Sequence, residues 1–199
     1  MTTNGNHHGR ESPQNAKTLH TSHSTGWLSA ACRIDSPNFD ARPRDSAISL
    51  LVLHHISLPA GHFEGDAVIR LFTNQLDDSD PELSELAALR VSAHFFIRRD
   101  GSLIQFVNVF DRAWHAGVSS WRGRERCNDF SVGVEIEGDC EHPFARGQYE
   151  TLNRLSADLA SLLPIKDTAT HAEIAFGRKV DPGPRFDLAL LNAARNAQS

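Results

Sequence analysis

Five histidines in the central and C-terminal parts of the chain could support metal chemistry. Catalytic zinc usually has three protein ligands of the histidine and carboxylate types, with a fourth position kept for water. The chain has many carboxylates beside these histidines, but their separations match no local motif such as H-E-x-x-H on one helix. From spacing alone, each of these histidines is more readily explained as a core or surface residue than as a metal ligand. The candidates are His54, His55, His94, His115 and His171.

Two short apolar segments predict buried strands that would position some of these groups. Residues 48–53 are almost continuously apolar and lead directly into His54, so a histidine is expected at the end of a strand. Residues 131–138 alternate, with Glu135 and Glu137 on the face opposite the valines and isoleucine. A rigid element would therefore present a carboxylate as well.

The remaining segments predict helices, one hairpin and a long loop. Asp100-Gly101 between two β-rich runs is a strong hairpin signal, and His94 lies in its first strand. Leucines three and four residues apart predict an amphipathic helix that ends before Pro164. The expected ranges are a loop at 56–65, a short helix around 68–72, a helix at 81–89, strands at 91–98 and 103–107, a helix at 148–163, and mostly loop at 170–186.

Composition limits the classes of protein to consider. With 199 residues and 40% hydrophobic residues, the chain suits a single domain with an ordinary core. A formal net charge of -5 argues against nucleic-acid or anionic-membrane partners. Three cysteines without a C-x-x-C pair predict neither a disulfide scaffold nor a thiolate zinc knuckle, which suits a reducing compartment.

The N-terminal segment is polar and lacks the apolar core of a signal peptide. No later run is apolar and long enough to predict a transmembrane helix, so a cytoplasmic location is expected. Residues 1–25 are predicted to be a disordered extension because they cannot bury enough apolar surface to offset ordering entropy. The main domain is placed at 26–190 and a C-terminal tail at 191–199.

Four segments, in order along the chain, carry a resemblance to a known family. They read SLLVLHHISLPAG, LRVSAHFFIRRDG, RAWHAGVSSWRGRERCNDFSVGVEIEG and HAEIAFGRKVDPGP. Together they resemble the zinc-dependent N-acetylmuramoyl-L-alanine amidases, and within them the cytoplasmic 1,6-anhydro-N-acetylmuramyl-L-alanine amidases. The resemblance spans roughly residues 26–187. It implies a single α/β domain in which a central mixed β-sheet is flanked by α-helices, with zinc at one end of the sheet.

The resemblance also assigns roles to particular residues. The zinc ligands fall on His54, His171 and Asp181, and many secreted relatives have cysteine at the position of Asp181. Glu135 falls on the catalytic carboxylate that would take a proton from water and deliver it to the leaving amine. Glu137, on the same face, is an alternative base. Lys179 matches a lysine that would stabilise the oxyanion.

Substrate contacts are expected mainly from arginine, because muropeptides carry carboxylates that a guanidinium group binds with two parallel hydrogen bonds. Arg90 and Arg126 are the candidates, with a surface ion pair as the alternative for each. His94, Trp114 and His115 could line the sugar or peptide cleft, and Trp114 could equally be core. The substrate expected from the resemblance is an anhydro-muropeptide, and a monomer is expected.

Two positions depart from the family pattern. His55 stands where close relatives often have asparagine, which could alter a substrate contact or complicate the choice of metal ligand. Phe176 stands where the family frequently has proline, which would loosen the loop that carries Lys179 and Asp181. Two other functions stay open, namely a peptidoglycan-recognition module without catalysis and a lysin that acts on polymeric cell wall.

Overall fold

The computed structural model of the chain describes residues 1, 25–77, 79 and 83–191. Almost all of the predicted extension and tail therefore lies outside the described residues. The strands are β1 (Cys32–Arg33), β2 (Phe39–Ala41), β3 (Leu50–Ile56), β4 (Phe95–Ile97), β5 (Leu103–Gln105), β6 (Asp111–Ala113), β7 (Ser120–Trp121), β8 (Arg124–Glu125), β9 (Ser131–Glu137) and β10 (Asp167–Thr170). The helices are α1 (Ala67–Phe72), α2 (Ser84–Ala87), α3 (Arg146–Leu162) and α4 (His171–Ile174), with a 3-10 turn at Cys127–Asp129.

A central mixed sheet organises the fold, as predicted. Its strand order is β1-β5-β4-β9-β3-β10, and β4, β9, β3 and β10 run parallel to one another. The predicted hairpin is present as the antiparallel pair β4 and β5. In the register between β3 and β9, His54 lies directly beside Glu135. The two groups that the sequence placed on separate strands are thus neighbours.

Both faces of the central strands are buried. One face packs its apolar side chains against α3, which contributes Leu152, Leu155 and Leu159 to the largest core cluster. Val132, Val134 and Ile136 belong to that cluster, so the predicted alternation of β9 is confirmed. The opposite face, which carries Glu135, is also covered, and every residue of β9 is buried. Glu135 and Glu137 are therefore enclosed in the protein.

Several predicted elements are confirmed, and some are shorter than predicted. The strand expected at 91–98 covers only Phe95–Ile97, so His94 lies just before it and not within it, and the strand expected at 103–107 covers Leu103–Gln105. The long helix spans Arg146–Leu162 and the short helix spans Ala67–Phe72, close to the predicted ranges. The helix expected at 81–89 is reduced to Ser84–Ala87 within the described residues. The segment 170–186 is mostly loop, as predicted, but its first five residues are not, because β10 adds to the sheet edge beside β3 and passes directly into α4. In the part of the chain that the structure describes, no helix could cross a membrane.

Candidate metal centre

Three side chains converge at the end of β3. His54 Nδ1 lies 2.9 Å from His171 Nδ1 and 3.2 Å from Asp181 Oδ2, and His171 Nδ1 lies 2.9 Å from Asp181 Oδ2. All three residues are buried. Within the described residues, this is the group of histidine, cysteine and carboxylate side chains whose ligand atoms come close enough to hold a metal ion.

The sheet edge brings the ligands together. Because β10 pairs in parallel with β3, Thr170 lies opposite Leu53 and the next residue, His171, arrives beside His54. Thr170 caps α4, since its hydroxyl accepts the Glu173 N–H while the Glu173 carboxylate accepts the Thr170 N–H. The Asp181 carbonyl accepts the N–H of Ala172, which fixes the third ligand against the start of α4.

The chemistry of this donor set fits a metal cation. His171 Nε2 lies 3.2 Å from the Ala116 carbonyl, which can only accept, so neutral His171 carries its proton there and turns a lone pair of Nδ1 toward Asp181. Two electron-pair donors 2.9 Å apart repel each other unless a proton or a metal ion lies between them, so the pair is suited to bind a cation. Two imidazoles and one carboxylate form a common zinc ligand set, and zinc ligands at about 2.0–2.2 Å would lie roughly 3.3 Å from one another.

Burial and neighbouring groups also shift the pKa values of the metal ligands. Burial first, and then the neighbouring imidazole of His171, lower the pKa of His54 to about 4, so His54 is neutral and able to bind a metal at neutral pH. Burial opposes ionisation of Asp181, but the close contacts with His171 and His54 hold the pKa of that carboxyl well below its usual range. His54 and Asp181 are thus in the protonation states that zinc requires.

Glu135 provides a buried carboxyl group beside the ligands. Its Oε2 atom is buried without a hydrogen-bond partner. Burial, and then the negative charge of Asp181, raise the pKa of Glu135 well above the ordinary value, while Lys179 opposes the shift. A buried, unpartnered carboxyl group with a raised pKa is typical of a general acid or base.

Glu137, the alternative base, is bound to the backbone. Its Oε2 atom accepts the N–H of Arg99 at 2.8 Å and lies 4.0 Å from Arg98 Nε. It also lies two residues further along β9, in register with Ile56 and not with a metal ligand. These contacts favour Glu135 over Glu137.

Lys179 and the two departures from the family pattern lie on or near the segment after α4. Lys179 is exposed, and its charge acts on both Glu135 and His54. Its N–H and that of Arg178 both bond to the Ala175 carbonyl, so the turn after α4 is closed around an outward-facing Phe176. His55 Nδ1 lies 3.1 Å from the Pro182 carbonyl and does not join the ligand group.

The substrate-binding candidates are scattered. Arg90 is exposed, and its guanidinium donates to the carbonyls of Ala87 and Leu89 and not to a metal ligand. Arg126 is exposed, pairs with Asp129 at 3.3 Å, and lines a cavity of about 590 Å³. That cavity is also lined by Ile174 and Ala175, so Arg126 faces the end of α4, the helix that begins at the ligand His171.

The other three candidates lie deeper. Trp114 is partly buried and its indole N–H donates to Asp40. His94 has no exposed surface, so it does not line a cleft in this structure. Its Nδ1 accepts the Gly133 N–H and its Nε2 lies 3.1 Å from the Asp111 carbonyl. His115 is partly buried and contacts the ligand His54 directly.

Sequence reasoning missed the residues that support His115. The Asn128 side-chain carbonyl accepts the N–H groups of both His115 and Ala116. Ser131 Oγ lies 3.1 Å from His115 Nε2. Neither residue carries a recognisable motif. Their position in the matched segment, directly before Glu135, was the one available signal.

Comparison with known proteins agrees with this fold. Residues 44–184 match the family model described as N-acetylmuramoyl-L-alanine amidase. The chain belongs to this amidase family. Within it, the chain is 51% identical over 165 residues to the 1,6-anhydro-N-acetylmuramyl-L-alanine amidase AmpD of Salmonella typhimurium (strain SL1344), which covers 81% of this chain and 88% of that protein.

Two solved structures extend the comparison. A crystal structure of a selenomethionine derivative of AmpD superposes with a TM-score of 0.83 at 48% identity, over 85% of this chain and 97% of the other. The Escherichia coli amidase AmiD, in complex with the substrate anhydro-N-acetylmuramic acid-L-Ala-D-γ-Glu-L-Lys, gives a TM-score of 0.56 at 31% identity. That alignment covers 79% of this chain and 59% of AmiD.

Proposed function

We propose that this chain is a zinc-dependent amidase that hydrolyses the bond between 1,6-anhydro-N-acetylmuramic acid and L-alanine in muropeptides, for peptidoglycan recycling. One observation carries the proposal. The buried His54, His171 and Asp181 ligands converge beside Glu135, whose buried Oε2 atom has no hydrogen-bond partner. The similarity to AmpD over most of the chain supports the substrate.

In this proposal His54, His171 and Asp181 hold zinc, which supplies a Lewis acid that polarises the amide carbonyl and acidifies water. Glu135 accepts a proton from the attacking water and then donates one to the leaving amine of L-alanine. Its raised pKa suits both directions of transfer. The ammonium group of Lys179 stabilises the negative charge that develops on the carbonyl oxygen. No covalent intermediate with the enzyme forms.

Substrate binding is assigned to five residues that do not form one cluster, namely Arg90, His94, Trp114, His115 and Arg126. Of these, Arg126 has the most direct support, because its exposed guanidinium lines the cavity next to α4. His94 is buried and His115 is partly buried, so we assign both of them an indirect role below the surface that contacts substrate. We further propose a cytoplasmic monomer that binds neither nucleic acid nor membrane, which accords with the net charge of -5.

Two alternative functions, a recognition module and a lysin, predict different experimental results. A recognition module without catalysis would have no use for the buried Glu135 Oε2 atom, whose lack of a hydrogen-bond partner costs stability. A lysin would act on polymeric cell wall and not only on soluble fragments. Both alternatives can be tested with the same protein.

The test is hydrolysis of purified anhydro-muropeptide, followed by mass spectrometry. Zinc-loaded protein should release free peptide, and chelated protein should release none. Glu135→Gln should lower kcat by about 10²- to 10⁴-fold, whereas the matched control Glu137→Gln should retain most of the activity. Binding of the fragment without cleavage by the zinc-loaded protein would favour the recognition module. Faster release from intact sacculi than from fragments would favour the lysin.

A further inference from the structure

A chain of hydrogen bonds, buried or partly buried, runs from the metal ligand His54 to the backbone of the 3-10 turn. His54 Nε2 lies 2.9 Å from His115 Nδ1, and His115 Nε2 lies 3.1 Å from Ser131 Oγ. Ser131 Oγ lies 2.6 Å from the carbonyl of Cys127. We call these groups the His115 relay.

The direction of the relay is fixed at its far end. The Cys127 carbonyl can only accept, so the single hydroxyl proton of Ser131 is directed to it. Ser131 Oγ must then accept from His115, which places the proton of neutral His115 on Nε2 and leaves a lone pair on Nδ1. That lone pair can only accept the N–H of His54 Nε2.

The consequence reaches the metal site. With its proton on Nε2, His54 turns a lone pair of Nδ1 toward His171 and Asp181. We propose that Ser131 and His115 are positioning residues that set His54 in the tautomer able to bind zinc before zinc arrives. Outer partners of this kind orient the ligand ring and raise its basicity. The inference rests on the metal site of the proposed function, but it does not depend on the substrate.

Two further features hold the relay in place. A Cβ atom at Gly133 would lie 2.4 Å from His115 Cγ, so glycine makes room for the ring. The Asn128 side-chain carbonyl accepts from the backbone of both His115 and Ala116. Ala116 supplies the carbonyl that fixes the tautomer of His171. The adjacent residues His115 and Ala116 therefore set the tautomers of both imidazole ligands. The Ala116 carbonyl sets that of His171, and the His115 side chain, which a mutation can replace, sets that of His54.

The direct test is the tautomer of His54 in zinc-free protein, read from long-range ¹H–¹⁵N correlation spectra of ¹⁵N-histidine-labelled protein at neutral pH. The expected result is a protonated Nε2 and an unprotonated Nδ1 without metal. Protonation at Nδ1 in the zinc-free wild type would overturn the inference. This spectrum needs no variant, so a folding defect cannot obscure it.

The second test is zinc affinity, measured by competition with a chromophoric chelator. Ser131→Ala and His115→Leu should weaken zinc binding by roughly 10- to 100-fold. His115→Asn, whose side-chain oxygen can replace Nδ1 as the acceptor, should restore most of the affinity. Wild-type affinity in His115→Leu, or equal losses in His115→Leu and His115→Asn, would contradict the proposal.

The matched control is Ser36→Ala. Ser36 is also buried and its hydroxyl also donates to a backbone carbonyl, that of Phe72, but it has no link to the metal ligands. Its replacement should leave zinc affinity unchanged. If Ser36→Ala lost as much zinc affinity as Ser131→Ala, the loss would be a general packing effect and the proposed role of the relay would be contradicted. Both tests omit muropeptide. A protein that binds zinc as expected but cleaves nothing would refute the proposed function and leave this inference standing.

Discussion

At the scale of single residues, Lys179 is the group whose charge reaches the site from the surface. It acts on both Glu135 and His54 although its side chain is exposed. Its position between two ligands in the sequence, His171 and Asp181, holds its backbone near the site. An ammonium group placed there can stabilise developing negative charge more than it stabilises bound substrate.

Lys179→Met should therefore lower kcat for muropeptide hydrolysis by about 10²- to 10³-fold, with a smaller change in KM and unchanged zinc content. Lys166→Met is the control, because Lys166 is exposed on a different side of the sheet, beside α3. Steady-state kinetics of the two variants provide the measurement. Equal kcat values for both variants would remove Lys179 from the mechanism.

His94 makes stability depend on pH. Burial first, and then the charge of Arg42, lower its pKa to about 3, compared with about 6.5 in an unfolded chain. Between those values the unfolded chain binds a proton that the folded chain does not. The contribution of His94 is therefore fully present above about pH 6.5 and is lost as the pH falls.

In chelated protein between pH 6 and pH 4.5, the free energy of unfolding of the wild type should fall by up to about 1.4 kcal/mol per pH unit more steeply than that of His94→Asn. Asparagine can still accept the Gly133 N–H but does not titrate. Urea denaturation at several pH values measures both slopes. Parallel slopes would show that His94 is already protonated, or is readily protonated, in the folded protein.

At the scale of elements, β3, β9, the β4–β5 hairpin and α3 could be predicted because each carries a strong local pattern. β10 could not, since Asp167, Thr168, Ala169 and Thr170 form a short edge strand with no apolar alternation, and its pairing with β3 is decided by tertiary contacts. The metal ligands could not be predicted from a local pattern either. Their spacing carries no local motif, so resemblance and not periodicity indicated them.

The contact between β9 and His115 requires a glycine. Gly133→Ala should lower the free energy of unfolding by about 1–3 kcal/mol, because the added methyl group must displace the His115 ring. Zinc affinity should fall with it. Gly147→Ala, in the first turn of α3, is the control: its Cβ atom would meet nothing closer than 3.5 Å, and alanine should be neutral or stabilising. Chemical denaturation and zinc titration measure both effects.

At the scale of the whole molecule, the metal centre joins β3, α4 and the segment that follows α4. Zinc that binds only the folded protein stabilises it by mass action, by about 2.7 kcal/mol at a free concentration 100-fold above Kd. For a chain of this size the melting temperature should rise by about 5–10 °C. Differential scanning fluorimetry with and without chelator measures this change. His171→Ala should show little response, and an equal rise in that variant would indicate a different zinc site.

The separation of the ligands along the chain has a kinetic consequence. His54 and Asp181 are 127 residues apart, and they meet only after parallel strands of distant sequence have paired. Closing so large a loop is entropically costly and is completed late in folding. During refolding, tight capture of zinc should therefore trail formation of the sheet, which would make the ion a reporter of the last stage of assembly and not a nucleus for it.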